Sequence, residues 1–213
     1  MNDLTLYTHP WSRGRVVRWM LEEIAVNYTV VVKDYGSSIK APEYLKINPM
    51  GKVPALTHGD IVVTEVAAIC AYLADQFPEE GLAPALTNPA RGAYLRWLFF
   101  IAGPFEMAMT AKVYHWNIDA DNAAAVGCGQ IEDAINTMEL ALKSGPYLCG
   151  EQFTAADVIA ASNLFWQLEQ KALEPRPVFT EYVQRLQARP AAIRANALDD
   201  ALVSQLSPPA GSA

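Results

Sequence analysis

The chain has 213 residues, 52% of them apolar, which is enough to bury one large core or two smaller ones. With 23 acids against 16 bases the net charge is −7, which argues against the clustered Lys and Arg of a nucleic-acid or anionic-membrane surface and leaves small molecules as the expected partners. No apolar run approaches the roughly 18 unbroken residues of a membrane span, and Met1-Asn2-Asp3-Leu4 carries an acid where a signal peptide has a basic flank, so a cytoplasmic location is expected. Cys70, Cys128 and Cys149 are an odd number without close pairing, which fits free buried thiols in a reducing compartment. His9, His58 and His115 share no ligand spacing, so no metal is expected.

In chain order, a short strand at 4–7 precedes Pro10, and Val16, Val17, Met20, Leu21 and Ile24 then recur on one face of a helix over 13–24. The β-branched run at 28–32 predicts a second strand, parallel to the first across a right-handed crossover. After a loop of Gly36, Ser37 and Ser38, a helical turn at 41–46 leads to Pro54, and strands at 55–57 and 61–64 flank a hairpin at His58-Gly59-Asp60. A helix over 65–76, with Ala68, Ile69, Tyr72 and Leu73 on one side, closes a βαβ-plus-ββα unit that resembles a thioredoxin-like domain. Prolines and glycine gathered without period at 79–89 read as a linker. From residue 90 the spacing is helical, with Leu95, Leu98, Phe99 and Ala102 in one run and a second over 131–142, so 90–206 is expected to be an all-helical domain. Inside it, Phe153-Thr154-Ala155-Ala156-Asp157 places Thr154 three residues before Asp157, a capping box that starts a further helix. The tail at 207–213 lacks apolar material to bury and is expected to be disordered.

Two short segments point to a binding site. A Val53-Pro54 step entering a strand can leave the Val53 N–H and C=O unpaired, an edge with which an extended peptide-like ligand pairs as an added strand; the alternative is an ordinary strand-entry proline. Taken together, residues 6–12, Asn48-Pro49-Met50-Gly51-Lys52-Val53-Pro54-Ala55-Leu56, 64–73 and 150–157 resemble the glutathione transferase family in order and spacing, over nearly the whole chain. The resemblance implies a thioredoxin-like N-terminal domain over 1–78 that holds glutathione as co-substrate, with Pro54 in the cis form. It also implies an all-α domain over 90–206 that completes a pocket for a small hydrophobic electrophile, and a homodimer. Conjugation leads among the activities implied, with glutathione-dependent isomerisation, peroxide reduction or dehalogenation behind it.

Such a site must make a thiolate, because a free thiol of pKa about 8.5 is only a few per cent ionised at neutral pH. By the resemblance Ser12, in His9-Pro10-Trp11-Ser12-Arg13, occupies the position at which serine-type members carry the hydroxyl that stabilises the sulfur anion. A helix N-cap is the alternative role for Ser12, and Tyr7 is a competing hydroxyl. Glutathione contacts are implied for Lys52, Val53, Pro54, Glu65 and Val66. Val66 departs from the pattern, since the usual residue after the acid is a serine whose hydroxyl helps hold the γ-glutamyl carboxylate. The neighbouring Thr64 hydroxyl is a candidate to replace it, but a helix cap is the favoured role for that hydroxyl. The departure keeps open a transferase-fold protein that serves as a binding or interaction module. Trp11, Phe105, Met109, Tyr114, His115 and Trp116 are candidates for the electrophile pocket, though residues at this helical spacing more often belong to the core. No cysteine lies in the first sixty or so residues, which disfavours thiol–disulfide reductase chemistry.

Overall fold

In the computed structural model, which describes residues 3–206, the alternation Leu4-Thr5-Leu6-Tyr7-Thr8 becomes strand β1 (Leu4–Thr8), with Leu4, Leu6 and Thr8 buried and Thr5 and Tyr7 on the other face. Helix α1 (Gly14–Ile24) buries Val16, Val17, Met20, Leu21 and Ile24, the face its spacing predicts. It stops where Ala25 turns left-handed at φ 57° and its N–H closes on the Leu21 carbonyl at 3.0 Å. Strand β2 (Thr29–Val32) runs parallel to β1 with Val32 opposite Thr8. A 3₁₀ turn (Ser38–Lys40) and the single-turn helix α2 (Pro42–Leu45) follow. Strands β3 (Ala55–His58) and β4 (Ile61–Thr64) form the expected hairpin, with Gly59 at φ 57°. Helix α3 (Val66–Gln76) buries Ile69, Cys70 and Leu73 and packs on α1.

The sheet order is β2-β1-β3-β4, with β1 antiparallel to β3 and β3 antiparallel to β4. Tyr7 pairs with Ala55, and Ala55 with Thr64. The ends of β2, β1 and β4 and the start of β3 therefore lie at one end of the sheet. The loops that leave or enter there carry Tyr35, Ser12, Val53 and Glu65, in the order of the strands.

The described residues up to Glu80 form one compact unit together with those from Arg189 onward, and Gly81–Ala188 form the other. The second unit is helical: α4 (Arg91–Phe100), α5 (Glu106–Val113), α6 (Ile131–Lys143), α7 (Ala155–Glu169) and α8 (Pro177–Gln187). Between α4 and α5 the backbone makes a π turn over Ile101–Phe105, which accommodates Pro104 inside an otherwise continuous helix. The capping box at the start of α7 closes as predicted. The Thr154 N–H donates to Asp157 Oδ2 at 2.8 Å, its hydroxyl to the same oxygen at 3.0 Å, and Leu148 N–H and the Tyr182 hydroxyl donate to Oδ1, each at 2.8 Å.

Helix α9 (Pro190–Val203), expected in the helical domain of 90–206, belongs to the first unit, where it packs along α1. Four ion pairs hold it there: Glu23 with Arg189, Glu22 with Arg194, Arg18 with Asp199 and Arg15 with Asp200. The tail at 207–213 lies outside the described residues. Among the described residues no helix is long and apolar enough to cross a membrane.

Candidate functional site

Three loops at the common end of the sheet hold the residues singled out in the sequence. The first is 9–13. Ser12 N–H donates to the His9 carbonyl at 2.9 Å, and the Ser12 hydroxyl donates to the same oxygen at 2.6 Å. Gly14 N–H in turn donates to Ser12 Oγ at 2.9 Å. Ser12 thus accepts from an orphan amide of α1, though it stands one residue before the helix N-cap, Arg13, and does not fill the N-cap position itself. The loop is tight: a Cβ on Gly14 would sit 1.8 Å from Thr8 Oγ1 and 2.9 Å from Ser12 Oγ, so only glycine fits.

His9 is buried, and its Nδ1 accepts the Trp11 N–H at 3.3 Å, which requires that nitrogen to be unprotonated. Burial lowers the imidazole below its ordinary value, with the Asp34 carboxylate pulling the other way. A depressed base resists a proton in the folded state while the unfolded chain takes it up near 6.5. Its contribution to stability is therefore complete above that value and lost as pH falls through and below it. His9→Phe, which keeps a ring against Trp11 and Tyr35 but cannot titrate, is expected to show a smaller drop in melting temperature than the parent between about pH 8 and about pH 5.5. An equal drop in both proteins would remove His9 from the pH response.

The second loop is 48–54. Buried Asn48 organises it, donating through Nδ2 to the Lys52 carbonyl at 2.8 Å and accepting the Met50 N–H at 3.1 Å. The Tyr44 hydroxyl also donates to the Lys52 carbonyl, at 2.6 Å. The Val53–Pro54 bond is cis. With the preceding carbonyl doubly occupied, the N–H and C=O of Val53 meet no hydrogen-bond partner among the described residues. The Lys52 side chain is exposed. Lys40, absent from the sequence reading, donates to the Met50 carbonyl at 2.9 Å and adds a second ammonium to this rim; its signal was the glycine it packs on, since a Cβ on Gly51 would lie 2.8 Å from Lys40 Nζ.

The third loop joins β4 to α3. Glu65 is exposed and adopts φ 68°, ψ 124°, a conformation that costs a non-glycine residue about 1–3 kcal/mol. No side chain caps α3, so the amides of its first turn, beginning with Val66, are open. The Thr64 hydroxyl, read as a helix cap, makes no hydrogen bond among the described residues, which corrects that expectation.

Tyr7 lies on the other face of the sheet from Leu6 and Thr8, its ring centroid 5.6 Å from that of Tyr44. Lys33 Nζ stands over both rings, 5.7 and 5.1 Å from their centroids. In the helical unit Phe105 and Met109 are fully buried and belong to the core, whereas Trp116 is 52% exposed. A cavity of about 380 Å³ there is lined by Pro104, Glu106, Met107, Thr110 and Trp116. Cys70 and Cys128 are buried and Cys149 half-buried, all three free, and burial pushes the Cys70 thiol well up. Among the described residues no three His, Cys, Asp or Glu gather as a metal centre would require.

Known proteins resemble this chain in sequence and fold. Residues 2–75 match the description "Glutathione S-transferase, N-terminal domain" and residues 121–185 match "Glutathione S-transferase, C-terminal domain". The glutathione S-transferase GstA of Escherichia coli O157:H7 is 31% identical over 191 residues, covering 88% of this chain and 94% of that one. The chain belongs to the glutathione S-transferase family. Another relative, the disulfide-bond oxidoreductase YfcG of Escherichia coli K12, is 27% identical over 88% of this chain and 92% of its own. A glutathione transferase homologue from Sulfitobacter, solved with bound glutathione, superposes with a TM-score of 0.73 at 28% identity, covering 94% of this chain and 99% of that one. In this family member, as expected, a thioredoxin-like unit with a four-stranded mixed sheet is joined to a helical one.

Proposed function

We propose that the protein is a glutathione transferase of the serine type, in which Ser12 hydrogen-bonds the glutathione sulfur as a thiolate for attack on a small hydrophobic electrophile. The observation that carries this reading is the open Val53 N–H and C=O at the sheet end shared with Ser12 and Glu65. A peptide lying along that edge pairs as an added strand. Its γ-glutamyl carboxylate meets the uncapped amides of α3, beginning at Val66, and its ammonium meets Glu65. Its glycyl carboxylate meets Lys52, with Lys40 beside it. The missing hydroxyl at Val66 leaves the backbone to hold the γ-glutamyl carboxylate.

The Ser12 proton rests on the His9 carbonyl, and donation to sulfur needs only a turn of the hydroxyl. A bond to an anion is about twice as strong as one between neutral groups, and the His9 carbonyl keeps the Ser12 N–H when the hydroxyl leaves. Gly14 N–H continues to hold the serine oxygen in place. Tyr7, by contrast, faces Tyr44 and Lys33, which favours Ser12 as donor. The reading includes conjugation, in keeping with the names of the relatives, and extends to a detoxifying role in the cytoplasm and to assembly as a homodimer. The cavity of the helical unit, with Met107 and Trp116 in its wall, suits an apolar ligand.

Ser12→Ala is expected to raise the pKa of bound glutathione by about one to two units, the worth of one charge-assisted hydrogen bond. Conjugation at neutral pH then falls about tenfold to a hundredfold. Titrating the ultraviolet absorbance of the bound thiolate measures the shift; a variant that titrates as the parent does would remove Ser12 from the mechanism.

A further inference from the structure

The loop after β2 brings a phenol to the same end of the sheet. Because β2 runs parallel to β1, Tyr35 leaves its strand beside the loop that carries Ser12. The turn is anchored: Asp34 N–H donates to Ser38 Oγ at 2.8 Å, and Ser37 and Ile39 N–H donate to the Asp34 carbonyl at 3.4 and 3.2 Å. The Tyr35 ring packs on His9 with centroids 4.5 Å apart. Its hydroxyl donates to the Trp11 carbonyl at 3.4 Å, a long and weak bond for an O–H donor. The Trp11 carbonyl it reaches belongs to the residue directly before Ser12, so the Tyr35 hydroxyl ends at the peptide next to Ser12, and Arg13 adds a positive charge nearby. At 37% exposure the side chain is fixed on one flank and open on the other.

We infer that Tyr35 is a second catalytic hydroxyl of this site, donating to the same glutathione thiolate as Ser12. The inference rests on the reading that Ser12 marks the sulfur position. Three considerations favour the phenol. Its proton is held only by a 3.4 Å contact, whereas that of Ser12 is held at 2.6 Å. A phenol is a more acidic donor than an aliphatic alcohol. Burial also raises Tyr35 above its ordinary value, so it stays protonated, and able to donate, over the whole working range. On ionisation the S–H bond breaks, its electron pair remains on sulfur and the proton passes to solvent. Both hydroxyls keep their own protons and point them at the anion. Two donors at one sulfur give a geometry in which loss of either leaves part of the activation in place.

Four proteins test this: the parent, Tyr35→Phe, Ser12→Ala and the double variant. For each, the affinity for glutathione is measured by calorimetry and the pKa of the bound thiol by ultraviolet titration. Tyr35→Phe keeps the ring on His9 and removes only the hydroxyl. It is expected to raise the thiol pKa by about one unit, a roughly tenfold loss of thiolate at neutral pH, without weakening glutathione. The double variant is expected to shift further than Ser12→Ala alone. A Tyr35→Phe protein that titrates as the parent does, while Ser12→Ala shifts, overturns the role of Tyr35 and leaves that of Ser12 standing. So does one that loses affinity with the thiol pKa unmoved, since the ring is then merely structural. No binding heat from the parent overturns the glutathione reading of the site, and this role with it.

Discussion

Replacing Asp157 with alanine is expected to destabilise the helical unit by at least about 3 kcal/mol, because four donors that now end on one buried carboxylate each lose a partner at roughly 1 kcal/mol or more. The carboxylate is fully buried and serves three segments at once: the turn before α7 through Leu148, the first turn of α7 through Thr154, and α8 through Tyr182. Burial raises its pKa while those four bonds pull the other way. Asparagine separates the two oxygens. An amide oxygen in the Oδ1 position still accepts from Leu148 and Tyr182, but an NH₂ in the Oδ2 position faces two donors on Thr154. Stability measured by denaturant titration should therefore rank parent above Asp157→Asn above Asp157→Ala. Equal stability for the two variants would show that the pairs do not act separately.

Asp199→Ala is expected to cost about 3–5 kcal/mol, the usual penalty for leaving a buried charge without its partner. Arg18 Nε lies 2.9 Å from Asp199 Oδ1, and both side chains are almost wholly buried, at 4% and 0% exposure. The other three ion pairs along α1 and α9 reach solvent, so each is worth about 1 kcal/mol or less. The control is Arg18→Met with Asp199→Leu, which fills the same space with apolar atoms and is expected to recover most of the loss. If the single variant melts with the parent, or the double variant is worse than the single, the pair does not anchor α9.

Local chemistry was readable from the chain wherever neighbours in sequence are neighbours in space. The alternation of β1, the stripe on α1, the hairpin at Gly59 and the Thr154–Asp157 box all depend on residues within a few positions of one another. So does the position of Ser12 between strand and helix. What could not be read is where its proton goes: the backbone path of 9–12 sets the 2.6 Å contact with the His9 carbonyl, and no residue type announces it. The open first turn of α3 is similar, because Glu65 at φ 68° turns Thr64 away from the amides it was expected to cap. Helix α9 has an ordinary helical sequence, and only partners such as Glu23, 166 residues from Arg189, draw it to the first unit. Tyr35 was within reach of a topological argument, since a parallel β1–β2 pair puts the residues after both strands at one end.

The sheet-bearing unit is built from two pieces of chain with the whole helical unit threaded between them. During synthesis the segment up to Glu80 emerges with the Arg18 guanidinium lacking its counter-charge, and the carboxylate that answers it arrives only after the whole helical unit. Gly81–Ala188 can fold before that unit is finished, so the order of folding is expected to invert the order of the chain. A fragment ending at Glu80 would carry the loops at the common end of the sheet and still fail to hold them, for want of a helix encoded more than a hundred residues downstream.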